Sequence, residues 1–179
     1  MSVHRLELGP DWVPGPDGVP YRRGARLLLL DEQDRVLLVR GHDVDEPSRS
    51  WWFTVGGGIA PGESPREAAV RELFEETGLR VEPEDLEGPV LLREAFFDFR
   101  ARLVRQDEEF FLARVRGAGP LDFSGWEETE LEFMDEVRWF TLDELAAVTI
   151  EVFPEGLLSL LRELVGGWDG VTRHAPAGP

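Results

Sequence analysis

The sequence predicts an α/β protein, an α/β/α sandwich built on a mixed β-sheet. Three observations lead there. Aliphatic and aromatic runs of strand length recur along the chain. A strongly signalled helix opens at Ser64-Pro65-Arg66-Glu67, a capping box with proline at the first helical position, and stops at Gly78. A second helical region follows the last strand and opens with another capping box, Thr141-Leu142-Asp143-Glu144. Helices before and after the strands then cover both faces of the sheet.

The length of 179 residues suits one domain. Residues 1–20 read as an N-terminal extension, 21–166 as the domain, and the Pro/Gly-rich 167–179 as a flexible tail. In chain order, 26–30 (RLLLL) and 35–39 (RVLLV) are aliphatic strands, and Asp31-Glu32-Gln33-Asp34 between them reads as a hairpin turn. The short strand 51–55 (WWFTV) runs into the loop 56–63 (GGGIAPGE), whose four glycines permit positive φ or close approach of the backbone to a ligand. The capped helix, about three and a half turns long, comes next. Strands over 90–99 and 109–115 follow, joined by a polar connection over 100–108, and 137–140 is the last strand. A longer helix over 154–165 turns Leu157, Leu158, Leu160, Leu161 and Leu164 inward and ends at Gly166.

The first helix also carries chemistry. At about 100° per residue, Glu72, Glu75 and Glu76 gather on one side, with Val70, Leu73, Phe74 and Thr77 mostly on the other. Carboxylates three and four residues apart repel by roughly 0.2–0.5 kcal/mol per pair, a cost that a bound cation relieves. With no cysteine in the chain, and with His4, His42 and His174 too far apart in sequence to pair, the donors are oxygens. Oxygen donors select a hard ion, Mg²⁺ or Mn²⁺. The histidines read as surface residues.

Charge bounds the partners. Thirty-six acidic residues against nineteen arginines give a formal net charge of −17, which repels long nucleic acids, whereas a small, metal-chelated phosphate ester faces less repulsion. No apolar run approaches the length of a membrane span and no secretion leader follows Met1, so a cytoplasmic protein without membrane partners is expected.

Residues 57–79 (GGIAPGESPREAAVRELFEETGL) resemble the Nudix box, G-x5-E-x7-R-E-U-x-E-E-x-G-U with U aliphatic, at every specified position: Gly57, Glu63, Arg71, Glu72, Leu73, Glu75, Glu76, Gly78 and Leu79. The resemblance implies the Nudix fold and a Mg²⁺-dependent hydrolase that cleaves a pyrophosphate bond in a nucleoside diphosphate linked to another group. It makes Glu72, Glu75 and Glu76 metal ligands, with the carbonyl of Gly56 as a further one. Gly57, Glu63 and Gly78 support the box, and Arg71 with Glu63 braces the loop and orients the ligands. Glu75, Glu76, Arg71 and Glu130 form the catalytic set. Glu130 enters because several Nudix branches place a base or extra ligand on a loop well after the box, where this chain has GWEETE over 125–130. One departure precedes the box, where Val55 replaces the usual proline. The lack of cysteine argues against the isomerase branch. Homodimers are common among Nudix proteins, so a dimer is expected by analogy alone.

Strands bordering the site in this fold nominate Arg23, Arg26 and Arg40 for phosphate and Trp51 or Trp52 for stacking, although only one of two strand neighbours can face the site. Phe96, Phe97 and Phe99 read as packing. Markers of substrate class are missing: Glu94 and Ala95 stand where ADP-ribose types carry proline, and Phe96 and Phe97 where dinucleoside polyphosphate types carry tyrosine. The alternative is a non-catalytic module of the same fold that binds a nucleotide or nucleotide sugar. Such members have eroded glutamates, whereas all are intact here.

Overall fold

A computed structural model describes residues 8–99 and 102–178; His4 and residues 100–101 of the expected polar connection lie outside them, as does the side chain of Phe99. The strands are β1 (Val13–Pro14), β2 (Pro20–Leu30), β3 (Val36–His42), β4 (Ser50–Gly58), β5 (Glu87–Phe99), β6 (Arg102–Arg114), β7 (Met134–Phe140), β8 (Glu151–Phe153) and β9 (Arg173–His174). The helices are α1 (Pro65–Thr77), α2 (Glu128–Leu131), α3 (Leu142–Ala146) and α4 (Leu157–Leu164). The strands form one mixed sheet in the order β7-β3-β4-β2-β6-β5-β9, with β1 added to β2 and β8 to β4. β2 runs parallel to β6 from Tyr21↔Arg105 to Leu30↔Arg114 and antiparallel to β4.

Both faces of the sheet are covered, which is why 26–30 reads as an unbroken aliphatic run rather than an alternation. Ala25, Leu27 and Leu29 point to the face that packs Ala68, Ala69 and Leu73 of α1. Leu28 and Leu30 point to the other, where Leu145 of α3 and Leu157, Leu160, Leu161 and Leu164 of α4 close a second core. The α/β/α sandwich is therefore present.

Several details differ from the sequence reading. β2 and β3 meet only at Leu30↔Val36, because β4 enters between them instead of leaving a regular hairpin. The turn itself is real: the Asp31 carboxylate accepts from the amides of Gln33 and Arg35. Strands apolar on both faces carry no mark of which neighbour they take. The polar stretch before 109 is mostly strand, because its inward Gln106 and Glu108 find hydrogen-bond partners in the sheet. β8 takes 151–153 as a parallel neighbour of β4, and the last helix starts only at Leu157, with Leu158 half-buried. Beyond Gly166, Arg173–His174 pair with β5 and Gly178 bridges to Ala95.

Candidate metal and phosphate site

The capping box of α1 forms as expected: the Ser64 hydroxyl accepts from the Glu67 amide, and the Glu67 carboxylate accepts from the Ser64 amide at 2.8 Å. At the other end Gly78 adopts φ 74° and donates to the Phe74 carbonyl. The burial of the helix departs from the expected division. Ala68, Ala69 and Leu73 pack on the sheet, and Glu72, Glu76 and Thr77 are buried beside them. Phe74, expected to pack, is exposed with the Arg80 guanidinium 3.8 Å above its ring. Two glutamates are thus pressed against the end of β4, while Glu75 stays toward solvent.

Glycine makes that approach possible. A Cβ on Gly57 would sit 2.7 Å from the Glu72 carboxylate, and Gly56, at φ 130°, has no room for one against the Ala25 carbonyl. The Gly56 amide donates to Glu76 Oε2 at 3.0 Å. Its carbonyl accepts from Arg26 Nη1 at 2.7 Å, so the oxygen expected to meet a metal already carries a hydrogen bond on one lone pair.

Arg71 ties the motif together. Its guanidinium donates to both Glu63 oxygens (2.7 and 3.0 Å), to Glu72 (2.7 Å), to Glu75 (2.9 Å) and to the Gly58 carbonyl (3.0 Å). This fork raises the Arg71 pKa further and holds the Glu63 carboxyl below its ordinary value.

Glu130 comes to the same place from α2. A Cβ on Gly125 would clash with the Glu75 carbonyl at 2.4 Å, and one on Gly78 with Asp122 at 2.8 Å, so these glycines let 122–126 lie directly on the end of α1. Trp126 Nε1 donates to the Glu76 carbonyl and the Asp122 amide to that of Thr77. Carboxylate oxygens of Glu72, Glu76 and Glu130 then lie within 4.8 Å of one another. Burial pushes the Glu72 carboxyl up against the pull of Arg71, and raises Glu76 well above its usual range with help from the Glu72 charge. Burial also raises Glu130. Desolvated acids that crowd together fit a hard divalent cation, since a cation removes the cost that raises them. Among the described residues no histidine joins them: His42 pairs with Asp135 and His174 lies on β9.

The expected substrate contacts divide. Arg26, largely buried, is spent on the carbonyls of Thr54 and Gly56 and on Glu108. Arg23 is exposed and pairs with Glu109 on the α1 face. Arg40 reaches Ser50, and its Nε is buried without a hydrogen bond. Trp52 is core, edge-on to Phe140, and Trp51 is half-buried against Arg49. Of the phenylalanines expected to pack, Phe96 and Phe97 are half-buried, Phe97 meeting Trp12 edge-on. The sequence reading missed Arg22, whose guanidinium lies over the glycine loop. Strand alternation from the apolar Ala25 and Leu27 would have placed it with Arg26 and apart from Arg23.

The family model described as the NUDIX domain matches residues 20–161. An RNA pyrophosphohydrolase of Rickettsia bellii is 31% identical over 140 residues, covering 74% of this chain and 82% of that protein. Another, of Francisella philomiragia, is 37% identical over 105 residues, covering 54% of this chain and 63% of that one. Several curated relatives are matched over less than two thirds of their own length. Among solved structures, an ADP-ribose pyrophosphatase from Streptococcus suis superposes with a TM-score of 0.56 at 20% identity, covering 86% of this chain and 98% of that one. A MutT protein from Methanosarcina mazei gives 0.54 at 21%, covering 81% and 93%. At these identities the likeness concerns the fold.

Proposed function

The chain belongs to the NUDIX family, and from that premise we propose that it is a divalent-metal-dependent hydrolase that cleaves a pyrophosphate linkage in a nucleoside diphosphate joined to another group. One observation carries the proposal: three buried or half-buried carboxylates, Glu72, Glu76 and Glu130, converge within 4.8 Å beside a glycine loop. Glu72 and Glu76 would hold Mg²⁺ or Mn²⁺, with Glu75 and the Gly56 carbonyl as further donors. A metal bound there supplies neutralisation of phosphate oxygens and a more acidic water. Arg71 and Glu63 fix the carboxylates in place, and Gly57 and Gly78 let loop and helix close. Glu130 takes the proton of the attacking water, a role suited by a carboxylate that burial makes a stronger base than an exposed one.

The flanks belong with the domain proposed at 21–166: the match over 20–161 supports its core, while β1 and β9 join the same sheet. The charge of −17 favours a small substrate, although relatives named RNA pyrophosphohydrolase put RNA on the test panel. Among the described residues no helix is long and apolar enough to cross a membrane. A cytoplasmic setting and a homodimer remain parts of this proposal.

The test is incubation with Mg²⁺ and a panel of nucleoside diphosphate derivatives, including a 5′-triphosphorylated oligonucleotide, followed by assay of the phosphate products. Release from one panel member, lost on Glu76→Gln, supports hydrolysis. Tight binding of one member with every member intact supports the non-catalytic module instead.

A further inference from the structure

Arg22 and Asp11 meet on the glycine loop in a way the carboxylate site does not use. Asp11 Oδ2 accepts from Arg22 Nη1 at 2.8 Å, and both press on Gly58, where a Cβ would lie 2.1 Å from Asp11 Oδ2 and 3.3 Å from Arg22 Nη1. The preceding residue, Gly57, backs onto the Glu72 carboxylate at 2.7 Å. Gly57 and Gly58 are consecutive residues at the end of β4, so the arginine lies on the face of that strand opposite the Glu72 carboxylate, one strand's thickness from the acidic cluster. It is oriented from behind, since its Nε donates to the Gln106 amide oxygen, and Gln106 in turn donates to buried Glu108 at 2.6 Å. Gly24 leaves the room that the Gln106 side chain fills.

The other arginines beside the loop are committed to the folded frame, Arg26 to two carbonyls and Glu108, and Arg71 to three glutamates and the Gly58 carbonyl. Arg22 is different because its counter-charge comes from outside the main sheet. Asp11 sits in the arm before β1, which also lays Trp12 over the guanidinium at 4.4 Å and edge-on to Phe97. Asp11 and Arg22 keep 22% and 20% of their side-chain exposure, so water and a small anion can reach the pair. A carboxylate on a guanidinium is also the geometric stand-in for a phosphate, since both offer two oxygens to the same fork.

We infer, on the reading that the substrate is a diphosphate, that Arg22 takes its phosphate oxygens at the outer side of the glycine loop, and that the Asp11 carboxylate occupies that arginine until a phosphate replaces it. Asp11 is thus an internal competitor, and the arm from Gly9 to Gly15 releases when substrate enters.

The probe is methylenediphosphonate, a diphosphate analogue whose P–C–P bridge resists hydrolysis, titrated calorimetrically with Mg²⁺ into the full chain. Asp11→Asn tightens binding about tenfold, Arg22→Gln weakens it about tenfold, and the double variant binds no tighter than Arg22→Gln alone. With a turned-over substrate these changes fall on KM, while kcat stays within about twofold. Amide exchange at Trp12, bonded to the Gly9 carbonyl at 3.1 Å, quickens on saturation with the analogue. Should Arg22→Gln not fold, Arg22→Lys keeps the charge without the fork and gives a smaller loss of the same sign. Neutral or weaker binding by Asp11→Asn, or unchanged protection of the arm at saturation, overturns the inference. Binding that follows this pattern without phosphate release from any substrate would defeat the hydrolase proposal and leave this one standing.

Discussion

Two buried carboxylates, Glu108 on strand β6 and Glu76 on helix α1, have opposite fates. Glu108 is 4% exposed and Glu76 2%. Burial pushes Glu108 up, but the charges of Arg26 and Arg93 and the hydrogen bonds from Arg26 and Gln106 outweigh it, and its pKa falls. Burial pushes Glu76 up too, and there Glu72 adds to the push while the Gly56 amide only partly opposes it. Equal burial therefore says little about role; the supply of counter-charge decides. Glu108 is satisfied from within and braces the strands under the glycine loop. Glu76 holds the Gly56 amide beside the like charge of Glu72, a repulsion that a cation from outside relieves.

The largest break between the two comes from removing each charge. Glu76→Gln cuts kcat on the order of 10³-fold yet raises the melting temperature of the metal-free chain, measured by steady-state kinetics and calorimetry. Glu108→Gln does the reverse in stability: Arg26 and Arg93 lose their shared counter-charge, at a cost of about 3–5 kcal/mol in denaturant unfolding. A destabilised Glu76→Gln would erase the contrast.

Acidity separates them next. Glu72, Glu76 and Glu130 have raised folded pKa values, so the native state binds more protons, and metal-free stability is lost as pH climbs above the ordinary carboxylate value of 4.5. Glu108 has a lowered one, so its contribution is present above that value and is lost as pH falls. Thermal melts with Mg²⁺ or Mn²⁺ should accordingly show a larger metal-induced rise at pH 8 than at pH 5. An equal rise at both would mean that the cation binds elsewhere.

Two smaller effects sharpen the picture. Gly125→Ala forces a methyl into the Glu75 carbonyl and moves Glu130 away from its companions, so kcat falls roughly 10-fold or more while metal affinity, read by titration, changes far less. Ser64→Ala removes the helix cap and costs about 1 kcal/mol in chemical denaturation, with the pH dependence of both carboxylates unmoved.

Much of the site was legible in the chain because its determinants are local. The capping box at Ser64, the left-handed stop at Gly78 and the spacing of Glu72, Glu75 and Glu76 all act within one helix, where geometry follows from a fixed turn angle. Glu130 was nominated through the family likeness, and its meeting with Glu72 and Glu76 depends on Gly78 and Gly125 far apart in sequence. The part least legible was which carboxylates are buried. The apolar pattern of α1 suggested that the glutamates faced away from the core, whereas Glu72 and Glu76 lie within it because glycine at 56 and 57 leaves space that other side chains would fill.

Sequence alone therefore determined the α/β class, the capped acidic helix, the glycine loop and the kinship with the NUDIX family, all properties of residues close together in the chain. Only the tertiary structure decided that β4 enters between β2 and β3, that Arg26 is spent on the loop while Arg22 lies over it, and that Glu108 is paired where Glu76 is not. Those outcomes turn on which distant strands become neighbours and which charges they bring within reach, and periodicity along a chain does not encode its partner across the sheet.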